Sequence, residues 1–73
     1  MPHERGFHCV RSGKGWAIHR SGAMRNLKVD LTNEEAWALT KKMAKEKGAV
    51  AWKHSANGRV MERIDFGPEE IDK

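Results

Sequence analysis

A single cysteine, Cys9, is all the thiol chemistry that this 73-residue chain holds. No intrachain disulfide can form, and a reducing compartment fits best. The opening residues Met1-Pro2-His3-Glu4-Arg5-Gly6 lack the apolar core of a signal peptide, and no later run approaches the length of a membrane span. These absences predict a cytoplasmic protein with no membrane partner. Internal repeats and low-complexity stretches are absent too. The length leaves room for one domain only.

A domain of this size buries only about 60% of the surface that its unfolded chain exposes. Its core is thin, and the stability it can supply alone is about 3–5 kcal/mol. A core this thin makes self-association an expectation. Hydrophobic residues make up 38% of the chain and charged residues 33%, with three Trp and two Phe. The apolar residues are clustered, which argues against disorder away from the ends. Fourteen basic residues stand against ten acidic, a net charge of +4. That modest excess favours anionic partners.

Residues 1–6 show no periodicity and read as a flexible leader; residues 7–67 read as one domain, and 68–73 as an acidic tail. Phe7-His8-Cys9-Val10-Arg11 is strand-like, Ser12-Gly13-Lys14-Gly15 supplies a tight turn, and Trp16-Ala17-Ile18-His19-Arg20 alternates as a half-buried strand. Together they predict a hairpin. Ser21-Gly22-Ala23 breaks the chain again, and Leu27-Lys28-Val29 suggests a short third strand.

The helix carries the clearest signals. Thr32-Asn33-Glu34-Glu35 has the spacing of a capping box, in which Thr32 accepts from the Glu35 amide and the Glu35 carboxylate accepts from the Thr32 amide. Glu34 and Glu35 suit the positive end of the helix dipole, and Lys41, Lys42, Lys45 and Lys47 suit the later turns. Ala36, Leu39, Thr40, Met43 and Ala44 share one face, and Gly48 is placed to stop the helix. The spacing predicts a helix over about 33–47. Ala49–His54 then reads as a strand, Ser55-Ala56-Asn57-Gly58 as a turn, and Arg59–Asp65 as a returning strand. The fold class expected is α+β, ββ(β)αββ: an antiparallel sheet of two hairpins packed on one face by a single helix.

Gly15-Trp16-Ala17-Ile18, Glu35-Ala36, Ala44, Gly48-Ala49, His54 and Asn57-Gly58-Arg59-Val60 follow in that order. This series resembles the small prokaryotic family known as domain of unknown function 2188, over roughly Phe7 to Gly67. The resemblance implies this architecture and a prokaryotic or phage origin, and no mechanism. Ala51 and Lys53 flank Trp52 where such domains often place aliphatic residues, which leaves open the inward face of that strand.

His8 and Cys9 are neighbours on a strand, so they point to opposite faces and cannot chelate one ion together. His8 and His19 fall across the first hairpin, and His54 can join them, but no carboxylate or second cysteine stands in a ligand pattern. The histidines are read as structural, with no metal and no cofactor expected. Cys9 with a histidine elsewhere is the only nucleophile candidate, and a lone strand cysteine is usually a small core residue. Ser12-Gly13-Lys14-Gly15 lacks Walker spacing and joins two strands, so it is a turn rather than a phosphate loop. No enzyme is expected.

Phe7, Trp16, Ile18, Leu39, Met43, Val50, Trp52, Val60 and Ile64 are the expected core. The opposite sheet face would then carry His8, Val10, Ala17, His19, Ala49, Ala51, Lys53, Arg59, Met61 and Arg63. One helix covers one face only, so this second face meets solvent or a partner. Lys53, Arg59 and Arg63, with Lys14, Arg20, Arg25 and Lys28 at the rim, make it a candidate surface for duplex nucleic acid or a nucleic-acid-handling protein. No aromatic stacking pair is expected there, which counts against single-strand binding by base stacking. The alternative is a protein-interaction or homodimerisation module using the same face or a strand edge.

Overall fold

The computed structural model describes residues 6–67. The acidic tail expected at 68–73 and the leader, except Gly6, lie outside the described residues, and Gly6 already belongs to the first strand. The chain runs β1 (Gly6–Ser12), β2 (Gly15–Arg20), β3 (Asn26–Leu31), α1 (Asn33–Lys47), β4 (Val50–His54) and β5 (Val60–Asp65). The class is α+β, with α1 packed on a five-stranded sheet of order β3-β2-β1-β4-β5. One detail departs from the all-antiparallel expectation. The two hairpins join through parallel pairing of β1 with β4, so the sheet is mixed.

Local chemistry sets these elements. Gly13, at φ 58°, takes the first central position of the β1–β2 turn, where positive φ carries no steric cost for glycine. The capping box at Thr32 and Glu35 forms with distances of 3.0 and 3.1 Å. Gly48 ends α1 at φ 63°, its amide donating to the carbonyls of Ala44 and Lys45. The third strand is longer than Leu27–Val29. In it, Asp30 adopts φ 61° where the β2–β3 register slips, a bulge that brings Leu31 opposite Trp16.

The core lies between α1 and one sheet face. Phe7, Cys9, Ile18, Ala36, Trp37, Ala44 and Ala51 form it, and Trp16, Leu31, Leu39, Met43, Ala49, Ile64 and Phe66 pack against it. The expected core positions Phe7, Trp16, Ile18, Leu39, Met43 and Ile64 are in this set. Trp52 and Val60 are not. The parallel register aligns Phe7 with Ala51 and Cys9 with Lys53, so the inward residues of β4 are Ala51 and Lys53. Val50 and Trp52 therefore stand on the other face, although Val50 is buried there. Val60 is 57% exposed and Met61 66%, because a register shift beside His54 turns the start of edge strand β5 away from the helix.

Candidate functional site

The sheet face away from α1 gathers side chains from every strand. Alternation on β1 puts His8 and Val10 there; the antiparallel register sets His19 opposite His8 and Ala17 opposite Val10. The parallel register sets Trp52 beside His8, and Arg63 of β5 lies opposite Trp52. Asn26 of β3 completes the row opposite His19.

These side chains form a connected group. The His8 and Trp52 rings stack with centroids 4.3 Å apart and planes 10° from parallel. Trp52 leans over Gly6, where a Cβ would sit 2.6 Å from its Cζ3 and 2.1 Å from the Val50 carbonyl oxygen. Gly6 thus makes room for the indole. His8 Nδ1 lies 2.8 Å from His54 Nε2, and His8 Nε2 lies 3.0 Å from Ser21 Oγ. His54 Nδ1 lies 3.2 Å from the Gly58 carbonyl, and His19 Nδ1 lies 3.0 Å from Asn26 Oδ1.

The acceptor at Gly58 assigns the protons along this chain. A carbonyl only accepts, so His54 Nδ1 carries hydrogen and, in the neutral ring, Nε2 accepts. His8 then donates from Nδ1 and accepts at Nε2 from the Ser21 hydroxyl. The His8 pKa falls to about 4, through burial first and then the neighbouring His54 and His19. The relay links the β2–β3 turn to the β4–β5 turn across the join between the hairpins.

Ser21, His8 and His54 stand in the order of a nucleophile, a base and an orienting group, which the sequence reading did not anticipate. A base with its pKa near 4 gains little by taking a hydroxyl proton at neutral pH, so the arrangement suits hydrogen bonding better than acyl transfer. Among the described residues, no group of three or more His, Cys, Asp or Glu is placed to hold a metal ion. Cys9 is fully buried on the helix side, where burial raises its pKa against the opposing influence of Lys53.

The seven expected cations divide among the open face, the bordering turns and the helix side. Arg63 is on the open face, 3.9 Å from Asp65 in an exposed ion pair. Lys14, Arg25 and Arg59 are exposed in the turns that border the sheet. Lys53 is not on the open face: its Nζ lies 5.8 Å from the Trp37 ring centroid, with Lys41 Nζ 5.3 Å from the same ring. Arg20 pairs with Phe7 and lines a helix-side cavity of about 540 Å³ with Leu27 and Met43. Lys28 is opposite inward-facing Ile18. Of the residues expected on the open face, Ala51 and Ala49 pack with the core instead. Conversely, Trp52 supplies the stacking pair that the sequence reading did not expect. A parallel β1–β4 register, had it been known, would have placed it there.

A family model described as "Uncharacterized protein conserved in bacteria (DUF2188)" matches residues 7–66. The uncharacterized protein YdaT of Bacillus subtilis (strain 168) is 35% identical over 60 residues, which cover 82% of this chain and 40% of YdaT. The chain thus spans about two fifths of that relative's length. No solved structure matches significantly. No helix among the described residues is long and apolar enough to cross a membrane.

Proposed function

The chain belongs to DUF2188, an uncharacterised bacterial family, and from its geometry we propose that it is an accessory domain binding nucleic acid through the open face of its sheet. The observation that carries this reading is the ring cluster of His8, His19, Trp52 and His54 beside Arg63, on the face that α1 leaves uncovered. Aromatic rings and hydrogen-bonding imidazoles among peripheral cations are the chemistry that nucleobases and phosphates engage. The net charge of +4 adds attraction toward a polyanion. Binding rather than catalysis is the role, since the relay offers donors and acceptors but a weak base.

Fluorescence anisotropy with labelled oligonucleotides over a salt series tests it. Affinity should fall as salt rises, because phosphate contacts release counterions. Arg63→Glu should weaken binding and flatten the salt slope, whereas Lys53→Glu should change both much less. Absence of binding at low salt, or a larger loss from Lys53→Glu, would remove the open face from consideration.

A second reading has its own support. Val60 and Met61 expose apolar surface on edge strand β5, a feature suited to pairing with another protein or a second copy. A concentration-dependent dimer in sedimentation, persisting at high salt and lost in Met61→Lys, would favour it. A monomer throughout would exclude self-pairing.

A further inference from the structure

We infer that the nucleic acid bound by this face is a single strand, with bases on the ring cluster and phosphates at the rim; the inference rests on the preceding functional reading. The distribution of charge on the open face decides between the two forms. His8, Val10, Ala17, His19, Trp52 and His54 occupy its centre, and none is Lys, Arg, Asp or Glu. The cations stand outside it: Arg63 on edge strand β5, Arg59 in the β4–β5 turn and Arg25 in the β2–β3 turn. A duplex presents its phosphates outward and keeps its bases stacked inside, so a sheet face that meets it needs fixed positive charge where contact is closest. This face has rings there instead.

A single strand has the opposite arrangement available. Its bases turn toward an apolar, aromatic surface while the backbone follows the cationic margin. The parallel His8–Trp52 pair supplies ring surface, and Gly6 sets how closely the indole approaches the sheet. Around that pair, Asn26 with His19 on one side and Ser21 of the adjoining turn add side chains that donate and accept hydrogen bonds. The centre of the platform holds no Lys or Arg, so fixed positive charge draws phosphate to the margin instead. Recognition there is through ring surface and hydrogen bonds, with little dependence on base identity.

The test compares three labelled probes with the unaltered protein at one low ionic strength: a mixed-sequence single strand, the same strand annealed to its complement, and an abasic strand of equal length. The single strand should bind about tenfold tighter than either other probe, the size of one lost base–aromatic stack. Trp52→Leu should bring the single strand down to the abasic level, and Trp52→Phe should restore most of the difference. Equal or tighter duplex binding, or equal abasic binding, overturns this inference and leaves the nucleic-acid reading standing. Failure of all three probes to bind overturns both.

Discussion

His8 meets a histidine, a serine and an indole at once, and its titration has a measurable consequence. In the unfolded chain it titrates near the ordinary histidine value of 6.5; in the folded chain the pKa is about 4. Between these values the unfolded chain binds more protons, so stability falls with falling pH. The full contribution is present above pH 6.5 and is lost as pH drops towards 4. After allowance for solvent at this partly exposed position, the loss from neutral pH to pH 5 is about 1 kcal/mol. Urea unfolding at the two pH values should show this loss in the native chain, and His8→Gln should remove most of it. Sequence alternation alone sets His8 and His19 on one face, because they belong to one tight hairpin. It does not bring in His54, whose bond to His8 spans 46 positions and depends on the parallel β1–β4 register.

Among the elements, α1 is the most legible. Its capping box, its stop at Gly48 and its bounds of Asn33–Lys47 all follow from local chemistry. Replacing Thr32 with Ala removes the oxygen that accepts from the Glu35 amide, and should cost about 1 kcal/mol in denaturant unfolding. Glu35→Ala should cost less, since the Thr32 oxygen remains in place. Strand β4 was least legible. Trp52 is its largest apolar residue, and hydrophobicity alone turns it inward. The helix instead brings its own Trp37 to that side, and Lys53 extends its ammonium over that ring while small Ala51 enters the core. The helix face that periodicity selects, Ala36, Leu39, Thr40, Met43 and Ala44, lacks Trp37, and with it the reason Trp52 is displaced. The bulge at Asp30 likewise has no periodic signal, since it depends on how β3 pairs with β2.

At the scale of the whole molecule, the described residues set α1 on one face of a five-stranded sheet and leave the other uncovered, and the order of elements was enough to foresee this. The positive charge was equally plain, but its location was not. Lys53, Arg20 and Lys28 fall on the helix side, so what distinguishes the open face is its ring cluster rather than its share of cations. That cluster is the centre of the account, and a two-dimensional NMR titration with a single-stranded oligonucleotide reports on it directly. The indole signals separate the faces, Trp52 from the open side and Trp37 from the helix side. Binding should move the Trp52 indole with the resonances of His8, His19, His54 and Arg63, and leave Trp37, Lys41 and Lys53 nearly still. Shifts centred on Trp37 and its two lysines, with Trp52 unmoved, would contradict it.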